Sequence, residues 1–105
     1  MKQQHSYHDD LITRLKNPNY AVGYLKASFD DLNPRVFLLA LKDVIEATGG
    51  ITKFSRLSKI PRITLYRMLS KRGNPEFFTL AHLLHSLGLK LTVTKEKNPR
   101  LKHAA

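Results

Sequence analysis

Residues Ile51–Arg72 read ITKFSRLSKIPRITLYRMLSKR. Thr52 is a residue type that caps a helix start, and Phe54, Ser55 and Leu57 follow it. Ser58-Lys59-Ile60 then supplies a turn. A second helix is predicted from near Pro61, with Leu65, Met68 and Leu69 at core spacing. Two short helices joined by a tight turn follow the helix-turn-helix plan, in which the second helix enters a DNA major groove. Ser55 suits that plan because a small side chain lets the two helices cross closely. The stretch carries seven bases, Lys53, Arg56, Lys59, Arg62, Arg67, Lys71 and Arg72, and no acid. The plain alternative is a surface helix pair whose charges are merely solvated, since such pairs are common in helical domains.

A helical wheel of about 100° per residue divides the second helix into two faces. Leu65, Met68 and Leu69 share one side, with Pro61 and Arg72 at its margins. Ile63, Arg67 and Ser70 lie opposite, flanked by Arg62, Thr64 and Tyr66. Arginine can bond guanine O6 and N7 together, and Thr or Ile can meet a thymine methyl. Lys53, Arg56, Lys71 and Arg72 are expected to hold phosphates. Tyr66 has two readings, a contact to phosphate or base and a seal on the core edge.

The chain of 105 residues suffices for one domain with a modest core. It has no cysteine, which excludes disulfides and thiolate metal sites. No apolar run approaches the ~20 residues of a membrane span, and MKQQHSYHDD at the N-terminus lacks a signal-peptide core. A cytoplasmic protein with no membrane role is expected. The net charge of +10 is unevenly distributed: residues 1–50 hold six bases and six acids, whereas residues 51–105 hold twelve bases and two acids. A basic half beside a neutral one suggests a polyanion-binding surface on one side. His82 and His85 stand three apart on a predicted helix, but a zinc site needs three or four ligands. No metal and no cofactor are expected. No Ser, His and Asp arrangement carries a recognisable signature, so an enzyme is the weakest reading.

Around the central stretch the signals are helical. Residues 1–8 are polar and expected to be loose. Asp9-Asp10 are read as capping groups for a short helix with Leu11, Ile12 and Leu15. Asn17-Pro18 and Asn33-Pro34 are paired cap and first-turn signals. The first precedes a stripe of Ala21, Tyr24, Leu25, Ser28 and Phe29, closed by Asp30-Asp31-Leu32. The second precedes Phe37, Leu41, Val44 and Ile45 on a helix expected to be the central pillar, stopped by Thr48-Gly49-Gly50. Lys71-Arg72-Gly73-Asn74-Pro75 reads as a turn. Thr79 is expected to cap a helix with Leu80, Leu83, Leu84 and Leu87 buried, ending at Gly88. Leu89–Lys95 alternates as a strand does, with Leu89, Leu91 and Val93 on one face covering the preceding helix. A lone strand leaves its backbone donors unpaired, and the same strand of a second copy is the most economical partner.

Several segments, in order, resemble the addiction-module antidote family, the HigA-type antitoxins with a phage-repressor-like helix-turn-helix. They are LKNPNYAVGYLKAS at Leu15–Ser28, NPRVFLLALKDVIEATGGITK at Asn33–Lys53 and ITLYRMLSKRGNPEFFTLAHLLHSLGLKLTV at Ile63–Val93. The resemblance implies a lambda-repressor-like helical fold, dimeric operator binding, repression of the protein's own operon and neutralisation of an RNA-cleaving toxin. It places Thr52, Lys53, Pro61, Arg62, Ile63, Thr64, Tyr66 and Arg67 at DNA-facing positions. The chain departs from the family pattern at Lys59, where glycine is usual, at Pro61, where a serine cap is usual, and at Ile63, which is often polar.

The expected fold is therefore all-α, a lambda-repressor-like helix-turn-helix domain with one short C-terminal β-strand. Residues 1–50 form N-terminal helices, 51–72 the helix-turn-helix, 79–88 a helix, 89–95 the strand and 96–105 a flexible basic tail. The expected function is sequence-specific repression on double-stranded operator DNA, as a homodimer and as the antitoxin of a toxin. The alternatives are an orphan phage-type regulator with no toxin and a pure interaction protein whose helical groove grips a partner. Charge segregation alone puts a toxin on the neutral N-terminal half.

Overall fold

The computed structural model describes residues 6–97. Six helices run in the order α1 (Tyr7–Leu15), α2 (Pro18–Asp30), α3 (Pro34–Ala47), α4 (Ile51–Ser58), α5 (Arg62–Met68) and α6 (Phe77–Ser86). The first three are capped by side chains. Ser6 Oγ accepts the Asp9 amide at 3.0 Å, so α1 begins inside the segment expected to be loose, and Asp9 and Asp10 fill its first turn rather than its cap. Asn17 Oδ1 accepts from the Asn19 amide at 2.9 Å and Asn33 Oδ1 from the Arg35 amide at 3.0 Å, each beside a first-turn proline. Here the local signal and the fold agree, because one asparagine oxygen satisfies an amide that the helix cannot.

The last three helices start without a side-chain cap. Gly50, at φ 104°, precedes α4, so Thr52 lies in the first turn and does not cap it. Pro61 precedes α5, and Glu76 precedes α6. Thr79 is likewise inside the first turn of α6, because Pro75 and the extended Glu76 launch the helix earlier than a threonine cap would. Between α5 and α6 the backbone folds back on itself: a Cβ at Gly73 would lie 2.0 Å from the Met68 carbonyl oxygen. Only glycine fits that approach.

Helix α3 is the pillar, packing against α1, α2 and α4. It buries Leu38, Ala40, Leu41, Val44 and Ile45, while Leu39 faces out and Phe37 is half-buried. Leu41 and Ile45 belong with Phe54, Leu65 and Leu83 to the largest wholly buried side chains, so one core joins α3, α4, α5 and α6. Helix α2 buries Ala21, Leu25 and Ser28, and Tyr24 donates a 2.7 Å hydrogen bond to Asp43 Oδ2 of α3. Burial, and then the hydrogen bond and charge of Asp43, hold the Tyr24 phenol well above its ordinary pKa. Phe29, expected on the buried stripe, is 60% exposed and makes an edge contact with Phe37 at a centroid distance of 5.4 Å. Its ring stands beside an open groove that no described helix covers.

Helix α6 buries Leu83 and Leu84, with Leu80 and Leu87 packed partly against the core. It ends in a left-handed glycine motif: Gly88 donates to the His85 carbonyl at 2.9 Å and Leu89 to that of Leu84 at 2.8 Å. Beyond it the expected strand is absent among the described residues. Leu89 packs against the core, but Leu91 is exposed and Val93 is 94% exposed, so the three do not jointly cover α6. A strand needs a neighbouring backbone for its N–H and C=O groups, and residues 6–97 present none. Of the basic tail expected over 96–105, residues 98–105 lie outside the described residues, as does His5.

Two measurements check this packing. Lys59 sits at φ 63° and ψ 22°, in the left-handed region, as the C-cap of α4. Lys59→Gly should stabilise the fold by up to about 1 kcal/mol, seen as a melting temperature raised by a few degrees; a lowered one would contradict the strain. Tyr24→Phe should cost about 1 kcal/mol near neutral pH. The raised phenol pKa makes this contribution complete below the unfolded tyrosine value of about 10 and lost as pH rises through the folded value. Denaturant titrations should therefore show the gap between parent and variant narrowing in alkali.

Candidate nucleic-acid interface

The turn between α4 and α5 is locked by side chains of α4. The Lys59 amide donates to the Ser55 carbonyl at 2.9 Å, closing α4. Both backbone groups of buried Ile60 are then answered by serines: Ser55 Oγ donates to the Ile60 carbonyl at 2.6 Å, and the Ile60 amide donates to Ser58 Oγ at 3.1 Å. His82 of α6 reaches the Ser58 carbonyl at 2.8 Å. A carbonyl only accepts, so His82 Nε2 carries the proton. Three helices are thereby fastened at one point. Ser55 was legible only as a small residue at a crossing; its hydroxyl, the buried Ser58 and His82 carry no spacing signal.

With the turn fixed, α5 presents the two faces that its wheel predicts. Leu65, Met68 and Leu69 are buried. Ile63 is 67% exposed and Tyr66 is 55% exposed, so Tyr66 does not seal the core. Arg62 and Arg67 are exposed and Thr64 is half-buried. Thr52, Lys53, Arg56, Pro61, Lys71 and Arg72 are also exposed. Arg62 Nη1 donates to Thr52 Oγ1 at 3.2 Å, which joins the start of α4 to the start of α5. Thr64, Arg67, Ser70, Arg72, Asn74 and Thr79 surround one hollow, along with Glu76. Lys53 and Arg56 do not line it; they stand apart on α4. The arrangement offers hydrogen-bond donors and cations along an exposed helix, the chemistry that reads base edges and neutralises phosphates.

A second polar group lies on α1 and α3, where no sequence spacing could announce it. Ligand atoms of His8, Asp43 and Glu46 fall within 4.8 Å of one another. His8 Nε2 is 3.1 Å from Glu46 Oε1, and Asp43 already accepts from Tyr24, so these groups are partnered within the protein. The His82 and His85 pair offers less, since His82 is engaged by Ser58. Among the described residues, no helix is long and apolar enough to cross a membrane.

The model of a family described as probable addiction module antidote proteins matches residues 6–95. The chain belongs to that family. Its match runs from the capping serine of α1 through the segment after α6, so all six helices lie within it. The chain is also 28% identical over 88 residues to an uncharacterised protein of Haemophilus influenzae, across 84% of this chain and 90% of that one. No solved structure matches it. Membership implies a toxin as partner.

Proposed function

We propose that this antidote is a sequence-specific DNA-binding repressor of its own operon and that it neutralises an RNA-cleaving toxin in the cytoplasm. The observation that carries the DNA reading is α5, which buries Leu65, Met68 and Leu69 and exposes Ile63, Tyr66 and Arg67. It lies within a stretch of seven bases and no acid. In this reading α4, the turn and α5 are a lambda-repressor-like helix-turn-helix. Pro61, Arg62, Ile63, Thr64, Tyr66 and Arg67, with Thr52, face the major groove. Lys53, Arg56, Lys71 and Arg72 neutralise phosphates, which supplies most of the affinity and little of the specificity. The RNA-cleaving character of the toxin rests on the family resemblance alone.

The active form in this proposal is a homodimer. Leu91 and Val93 are exposed, and the sequence of Leu89–Lys95 alternates as a strand does. Pairing with the same segment of a second copy across a two-fold axis makes the strands antiparallel and covers these side chains. Two α5 helices would then stand about one DNA turn apart, roughly 34 Å, on a near-palindromic site.

Arg67→Ala should weaken the best operator by ~1–3 kcal/mol and relax preference at one base position. Lys53→Ala should weaken all sequences alike and flatten the salt slope. Binding titrations against an operator library separate the two, and an unchanged preference in Arg67→Ala would mean that another face reads the bases. For assembly, Val93→Asp should split the dimer with a loss of operator affinity larger than any loss of helix content. An unchanged dimer of that variant in sedimentation, or a monomeric parent at micromolar concentration, would overturn the strand pairing.

A further inference from the structure

Four of the five phenylalanines lie at the junction of the C-terminal end of α2, the N-terminal end of α3 and the start of α6. Phe29, Leu32, Pro34, Phe37, Leu38 and Leu80 line a groove of about 330 Å³ there, floored at one side by Gly73-Asn74-Pro75. Phe77 and Phe78, at the start of α6, form an edge-to-face pair with centroids 5.2 Å apart, and both are exposed. On the groove itself Phe29 is 60% exposed and Leu32 85%. An apolar groove with exposed side chains on its rim marks a binding surface more often than scattered exposed residues do.

Leu32 sharpens the point. Its φ of 61° puts a bulky side chain in the left-handed region, where glycine or asparagine would sit without strain. The side chain is nearly free of protein contact, so nothing in the fold repays the strained backbone. Local strain at an exposed apolar residue points to a role for that side chain in recognition.

We propose that this groove is where the antidote grips its toxin, through apolar side chains of the toxin flanked by lysine or arginine. Charge supports that occupant. Although the chain as a whole carries +10, Asp30 and Asp31 stand at the end of α2 next to Leu32. Two acids therefore stand beside Leu32 at the rim of the groove, against Arg35 on the first turn of α3. Position supports it as well. The Gly73-Asn74-Pro75 turn separates the groove from the basic hollow of Arg67 and Arg72, and the groove lies at the opposite end of α6 from Leu91 and Val93. DNA, a second copy and the toxin then each have their own surface. The proposal rests on the antidote reading and is independent of operator binding.

The test uses the full chain co-expressed with the product of the reading frame that adjoins it. Leu32→Asn, which suits the left-handed backbone, and Phe29→Ser remove two exposed side chains that line the groove and that the core does not bury, so helix content should hold. The double variant should bind that product at least about tenfold more weakly, fail to neutralise it in cells, and keep the parent's operator affinity. Undiminished binding by the double variant overturns the groove and leaves the antidote reading standing. A parent chain that does not bind the product at all overturns both. A double variant that sediments as a monomer where the parent is a dimer overturns the toxin as occupant and assigns the groove to a second copy.

Discussion

The peptide groups of Ile60 are the constraint on which the basic half of the molecule depends. A left-handed residue at Lys59 turns the chain so sharply that the amide and carbonyl of Ile60 leave α4 without backbone partners, in a buried position. Leaving either unsatisfied would cost on the order of 1–3 kcal/mol. Ser55 and Ser58 supply both bonds from within the preceding helix, and His82 then takes the Ser58 carbonyl. The angle at which α5 leaves α4, and the seat of α6 against both, follow from this one buried polar knot. The exposed face of α5 is aimed by it.

The sequence made some of this plain. Asn-Pro pairs reported the starts of α2 and α3 because the signal is local: an oxygen two residues from the amide it serves. The wheel of α5 was legible because Leu65, Met68 and Leu69 repeat at the helical period and are all buried. Caps were misread where threonine invited the inference. Thr52 and Thr79 lie inside their helices, since Gly50 and the Pro75-Glu76 pair set the backbone earlier. The serine and histidine clamp was out of reach, as hydroxyl bonds to a turn and a contact across 24 residues leave no periodic trace. Phe29 was misplaced for a related reason: a stripe shows which residues share a face, and not whether a neighbour covers the end of it.

The C-terminal segment illustrates a different limit. Alternation at Leu89–Lys95 reports strand preference, but a strand is a property of two backbones. Among the described residues the preference has no strand to pair with, and Leu89 is held by the glycine-terminated end of α6. The exposed Val93 and the exposed Leu32 are thus two different kinds of apolar exposure. One lies on a segment whose sequence alternates as a strand does; the other lies on a strained turn beside an aromatic groove.

The division between capped and uncapped helices has a consequence for how the molecule opens. Helices α1 to α3 each carry a side-chain cap, and α2 and α3 are the longest, at 13 and 14 residues. Helices α4, α5 and α6 have 8, 7 and 10 residues and no such cap. Helices that short do not persist in water by themselves. Their order comes from Phe54, Leu65 and Leu83 in the shared core and from the knot at Ile60. The DNA-facing half in the proposed function therefore depends more on tertiary packing than α2 and α3 do, and local opening is expected there first. Backbone amides of α4 to α6 would exchange with solvent through such partial openings, at a lower free energy than global unfolding. A ligand that binds across α4 and α5 would close that route, linking occupancy to the lifetime of the folded basic half.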